Sequence, residues 1–337
     1  MSSGVFYFFN DSERSNNDTP DKNNKINKVV ELDFYIQNEL TNVKRIKQFT
    51  NSFYTCSNSS ELNAVEVNEN KLRVGKKTSM TLLLEFENRK LTYLKTYLKN
   101  IENPKLYLLT IINFFKHLLN SLSILNDHLL VHNHINFDNI VVDKYDNVLL
   151  SNFSLSIDIS NKNLDTYIKH FVSEYDPTYL EWPLEIHLLS FLVTNKLSSL
   201  SSYNIEKIIN DYIHNNNILN TFGEKYVSSY KSEAIHYYMK YVNQPFEAIL
   251  FDSVQYSWSW DNYALSILFL RILIGIHHSI NVSNKFIILF MKLLVTNIHL
   301  VPNKRLSVKD TLNQFENILN NIGVEDYRQI ISLISSA

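Results

Sequence analysis

Apolar residues recur along this chain in two periods. From Pro104 to about Leu130 they fall at Leu108, Ile111, Ile112, Phe115, Leu118, Leu119 and Leu122. Three-and-four spacing over that length predicts one long helix with a stripe buried in the core. Glu31–Phe49 repeats the pattern through Leu32, Tyr35, Ile36, Leu40, Val43, Ile46 and Phe49, and predicts a second amphipathic helix. Gly4–Phe9, Leu62–Val67 and Met80–Phe86 are short strand candidates. The polar run Asn10–Asn27 reads as loop.

After the long helix the period shortens. Residues 129–157 read LLVHNHINFDNIVVDKYDNVLLSNFSLSI. Ile140, Val141 and Val142, then Val148, Leu149 and Leu150, flank a polar turn centred on Asp146-Asn147, which predicts a β-hairpin. Polar residues precede the first strand, from His132 to Asn139, and follow the second, from Asn152 to Ser154. A hairpin brings those ends together, so this stretch is the candidate site. Three more helices are expected over Ile205–His214, Ser232–Val242 and Pro245–Gln255, with apolar residues such as Ile208, Tyr212, Tyr237 and Tyr241 that need a surface to pack on.

Composition mainly excludes. A chain of 337 residues can hold two lobes with ample core. Its net charge of −2 makes no electrostatic case for nucleic acid or a membrane surface. The longest apolar run, Ala264–Ile276, is interrupted by Arg271 and too short to span a bilayer. The N-terminus lacks a basic-then-apolar signal pattern. The single cysteine, Cys56, excludes an intramolecular disulfide and fits a reducing compartment, so an intracellular location is expected.

The 129–157 stretch resembles the catalytic segment of eukaryotic-type protein kinases, in which H-R-D-L-x-x-x-N precedes a strand pair ending in D-F-G. His132 falls on the motif's His, Asn139 on its Asn, and Phe153 on the Phe of D-F-G. The departures fall on the reactive positions. His134 stands at the catalytic Asp, Asn133 at the Arg, Asn136 at the catalytic-loop Lys, Asn152 at the metal-binding Asp and Ser154 at the Gly. TYLEWPLEIHLLSFL resembles the end of an activation segment, with Glu185 on its Glu. SWDNYALSILFLRILIGI resembles the central helix of the large lobe, with Asp261 on the Asp that bonds the catalytic loop. Arg305 falls on the Arg that pairs with the segment-ending Glu.

The resemblance implies an α+β bilobal fold. A reduced small lobe over residues 1–86 would hold a small antiparallel sheet and one helix, and a mainly helical large lobe would span 87–337 with an inserted helical subdomain at about 187–258. Glu39 would take the place of the helix Glu that pairs with a strand Lys, and the Glu85 to Glu87 backbone would contact adenine. Neither G-x-G-x-x-G nor a V-A-I-K-like strand occurs, and Lys25 and Lys28 are the nearby lysines. ATP is therefore the implied ligand, with magnesium, at Asn139 and Asn152, weakened by the lost carboxylate. His132 and His134, two apart, could ligate zinc, but no third ligand stands at a sensible spacing.

WPLEIHLLSFL, the insertion and SWDNYALS are together most similar to protein-kinase-like proteins of giant DNA viruses, which would place the chain in host cytoplasm or virion. The expected function is that of a catalytically inactive pseudokinase acting as a binding or scaffold protein. Protein partners would be engaged through the helical insertion, and neither nucleic acid nor membrane is expected. The alternatives are an atypical active serine/threonine kinase and a structural or virion-packaged protein that binds no nucleotide.

Overall fold

The computed structural model describes residues 91–153, 155–160, 168, 172, 174–275 and 284–321. The expected strands and helix before residue 87, together with Lys25, Lys28, Glu39, Glu85 and Glu87, lie outside the described residues. Within them the protein is α+β: mostly helical, with two small antiparallel sheets.

Helix α2 (Pro104–Asp127) is the centre, and it follows β1 (Thr92–Tyr93) and α1 (Leu94–Lys99). The stripe read from its sequence is the buried one: Leu108, Ile111, Phe115, Leu118, Leu119 and Leu122 lie in the core. By length and composition its Leu106–Asp127 segment could cross a membrane, and 56% of that window is buried inside the protein. Phe115 meets Phe269, Phe290 and Phe315 with ring centroids 4.9 Å away in each case, edge-on to all three. These rings come from α8 (Trp260–Gly275), α9 (Lys285–Asn297) and α10 (Val308–Asn320), so one side chain joins four helices.

Helix α8 is buried on every side from Trp260 to Leu270. A helix without a wet face must satisfy its polar residues internally. Asn262 Nδ2 donates to Leu306 O at 3.0 Å and to Thr311 Oγ1 at 2.8 Å. Asn297 Nδ2 donates to Ser266 Oγ at 3.0 Å, and Thr311 Oγ1 to Asn297 Oδ1 at 3.1 Å. This network pins α8, α9 and α10 in one register.

The predicted hairpin forms as β3 (Ile140–Val142) and β4 (Val148–Leu150), with Ile140 opposite Leu150 and Val142 opposite Val148. Asp143 Oδ1 closes its turn by accepting from Tyr145 N at 2.8 Å and Asn147 N at 3.0 Å. Asp146 takes the left-handed conformation (φ 63°) that short polar side chains tolerate. Two pairings were not anticipated. β1 adds to the hairpin through Thr92 opposite Val142. β2 (Leu130–Val131) pairs with β5 (Ile157–Asp158), closing the two ends of the site stretch on each other.

Over the stretch expected to be an insertion, the helices are α4 (Ser202–Asn215), α5 (Asn217–Asn220), α6 (Glu224–Tyr238) and α7 (Phe246–Val254), after α3 (Leu184–Thr194). Helix α6 begins well before the predicted Ser232, because Gly223 (φ 89°) ends the preceding turn and Glu224 opens the helix. Helix α4 starts at a capping box, with Ser201 Oγ accepting from Asn204 N at 3.1 Å and Ser201 N donating to Asn204 Oδ1 at 2.9 Å. Ile205, Ile208, Ile209, Tyr212 and Tyr238 are buried. The group packs on α3 and, through α5, on α8.

Candidate functional site

Two strand ends deliver the polar groups. β2 runs into His132, and β4 runs into Ser151, Asn152 and Phe153. Hairpin register does the rest: Ser151 N donates to Asn139 O at 2.9 Å, so the residue before β3 lies beside those after β4. Asn133 (φ 58°) and Asn152 (φ 60°) turn the chain in left-handed conformations, for which asparagine is among the least strained residues with a side chain.

The loop's amide side chains bond inward. Asn152 Nδ2 donates to Asn139 Oδ1 at 3.0 Å, while Asn139 Nδ2 donates to His134 O at 2.8 Å. Asn136 Oδ1 accepts from Asp138 N at 2.9 Å and Asn139 N at 3.0 Å, which makes it a local turn cap. Its Nδ2 reaches Tyr179 OH at 3.4 Å. Asp138 is exposed.

The histidines are uncharged. His132 is fully buried, its Nε2 is 3.0 Å from Ser151 O and its ring meets Phe153 edge-on at 4.7 Å. A carbonyl partner makes Nε2 the protonated nitrogen, leaving Nδ1 to accept from His134 N at 3.3 Å. Burial pulls the His132 pKa down to about 3, reinforced by His134. Burial likewise brings His134 to about 4, and its Nδ1 is buried without a partner. A group with that pKa is a weak proton acceptor.

Two buried carboxylates hold this loop and its surroundings. Asp261, at the start of α8, accepts from His132 N at 2.6 Å and Asn133 N at 2.8 Å. Burial raises its pKa to about 7, against the pull of those two donors. Glu185 forms a two-pronged pair with Arg305, Oε1 to Nη1 at 2.5 Å and Oε2 to Nη2 at 3.0 Å. Tyr238 OH and Trp260 Nε1 also donate to it, at 3.0 and 3.1 Å. Trp260 and Asp261 are neighbours in sequence, so the pair and the loop hang from the same helix start.

His132, His134, Asn136, Asn139, Asn152, Phe153 and Asp261 are thus brought together, with Glu185 and Arg305 one step behind. Sequence reasoning missed Trp182, whose Nε1 donates to Asn133 O at 2.9 Å, and Tyr179 above Asn136. It also missed the ion pair of Arg271 with the buried Glu181. Tyr179, Glu181 and Trp182 all lie in the TYLEWPLE run, whose aromatic and acidic density was the available signal.

Magnesium with a nucleotide phosphate is held by one or two carboxylates in an octahedron. The side chains at the positions expected to ligate it are two neutral amides already bonded to each other. No group of three or more His, Cys, Asp or Glu able to hold a metal occurs among the described residues. The residues do not fit a catalytic magnesium. No protein-family model and no curated protein matches the chain.

Proposed function

We propose that the chain is a degenerate protein kinase, a pseudokinase that keeps the bilobal scaffold and works by binding protein partners. One observation carries this reading: Asn139 and Asn152, at the two metal-ligating positions of the kinase motif, close on each other through an amide hydrogen bond of 3.0 Å. Phosphoryl transfer needs charge neutralisation by metal, a base or orienting carboxylate, and a lysine clamp. Here the base position holds a neutral, half-buried histidine, and the loop-lysine position holds a turn-capping asparagine.

Groups that hold a scaffold without reacting are retained in full. Asp261 grips the loop backbone, and Glu185 with Arg305 makes the buried strut that the resemblance anticipates. The helices between α3 and α8 supply additional surface for protein partners. On this reading the protein acts in host cytoplasm or in the virion.

The test is phosphotransfer from radiolabelled ATP with magnesium, run beside thermal unfolding with ATP alone and with ATP plus magnesium. No transfer, and no magnesium-dependent rise in Tm, is the expected result. Robust magnesium-dependent transfer that disappears in both Asn139→Ala and Asn152→Ala would overturn the proposal. Restoring carboxylates with His134→Asp and Asn152→Asp is expected to leave transfer absent, because neither change supplies the phosphate-gripping lysine.

A further inference from the structure

Away from the Asn139–Asn152 pair, an open groove of about 410 Å³ runs between α1, the start of α2, the end of α8 and the site loop. Its floor is apolar and partly exposed, with Ile101, Tyr107 and Phe137 among its lining residues. Its charged lining is entirely cationic: Lys95, Lys99 and Arg271. Glu181 bonds the Arg271 guanidinium, while Lys95 and Lys99 are exposed and form no ion pair among the described residues.

The two lysines stand four apart on α1, one helical turn, so their ammonium groups share one wall. Alternate residues of an extended chain are about 7 Å apart and can present carboxylates at a comparable spacing. A bare anion would use the cations and leave the floor wet. A purely apolar helix would use the floor and meet two unpaired lysines.

We propose that this groove docks an extended acidic peptide segment of a partner protein, with carboxylates at alternate positions against Lys95 and Lys99 and one apolar side chain on Ile101, Tyr107 and Phe137. This deepens the binding-protein reading above and rests on it. Phe137 belongs to the turn that Asn136 caps, so an occupied groove abuts the inactive loop itself.

The test uses the full chain without nucleotide and a fluorescein-labelled peptide with Asp at alternate positions around a central Leu, read by anisotropy. Three comparison probes are its Asn counterpart, the same acidic peptide with Leu replaced by Ser, and inorganic tripolyphosphate as competitor. Saturable binding is expected for the acidic Leu peptide, weakened at least about tenfold in Lys95→Glu/Lys99→Glu and again between about 50 and 300 mM salt. The Asn and Ser peptides should bind at least about tenfold more weakly. Both lysines are exposed, and circular dichroism checks that the double variant is folded. Ile101→Ser should lower affinity for the Leu peptide and leave the Ser peptide unaffected.

Absence of binding, equal binding by the Lys variant, or equal binding by the Asn peptide would overturn the proposal. So would indifference to the Leu anchor together with full displacement by tripolyphosphate, the behaviour of a plain polyanion surface. None of these outcomes bears on phosphotransfer, so a failed groove and a failed pseudokinase reading are told apart.

Discussion

Replacing Glu185 by Gln conserves volume and one acceptor oxygen but removes the charge that faces Arg305. Both residues are buried, Glu185 at 0% and Arg305 at 4% exposure. Burial acts to lower the Arg305 pKa, but the Glu185 carboxylate outweighs it and holds that pKa above its usual value. Arginine's ordinary pKa lies so far above neutral that the guanidinium stays charged in the variant, with His299 O at 2.7 Å, Ser259 Oγ at 3.3 Å and Leu300 O at 3.5 Å among its other partners. Removing one member of a buried pair costs about 3–5 kcal/mol. Where the amide NH2 faces Trp260, that donor loses its acceptor and about 1 kcal/mol or more is added, whereas Tyr238 OH keeps Leu300 O at 2.9 Å. Urea unfolding followed by tryptophan fluorescence reads the cost as a shift in midpoint at constant slope. The exposed pair Lys304–Glu233, 3.0 Å long, is the internal control, and Glu233→Gln should cost less than about 1 kcal/mol. The double variant Glu185→Leu/Arg305→Met should be less destabilised than the sum of its single changes, because it leaves no orphan charge. A Glu185→Gln cost as small as that of Glu233→Gln, or strict additivity in the double variant, would refute the strut.

Two further outcomes concern protonation and the loop. His132 and His187 are buried and neutral, with pKa values lowered by burial to about 3 and about 4. Their unfolded forms take up protons first, so stability falls as pH drops below the unfolded value, by about 2 kcal/mol each between pH 7 and 5. Asp261 runs the other way: its folded pKa of about 7 exceeds the unfolded value, so lowering the pH over that window returns about 2 kcal/mol. His134, whose pKa burial lowers to about 4, adds a third loss of about 2 kcal/mol, so the expected net is a loss of roughly 4 kcal/mol between pH 7 and 5, measured by urea midpoints, and a flat profile would contradict the burial of these rings. Asp261→Asn can satisfy only one of the two N–H groups of His132 and Asn133, and should cost about 2 kcal/mol at pH 7 in thermal or urea unfolding. It also removes the compensating titration, so acid sensitivity should deepen to about 6 kcal/mol over the same window.

Periodicity and turn chemistry are local, and what depends on them was legible in the chain. The Leu108-to-Leu122 stripe, the strands Ile140–Val142 and Val148–Leu150, and the polar turn between them follow from spacing and from Asp and Asn at the bend. Register then follows from the hairpin, which is why Asn139 and Asn152 could be placed together from sequence. Helix starts were less legible in the insertion, where α6 begins at a glycine turn that the apolar pattern does not mark. Trp182, Tyr238 and Trp260 look like ordinary core aromatics in sequence. Their donor atoms found Asn133 O and Glu185 only because distant segments converge.

What the chain by itself determined is which positions are charged, which are amides, and where the backbone bends. That positions 136 and 152 carry neutral amides, with neither an ammonium nor a carboxylate, needs no coordinates. Tertiary structure decided what the replacements do: whether two asparagines face a ligand or each other, whether a histidine carries a charge, and which lysines share a wall with an apolar floor. The physical reason is that a side chain's chemistry is a property of its residue, whereas its partners, its burial and hence its protonation depend on segments 120 residues or more away, as for Glu185 with Arg305 and His132 with Asp261.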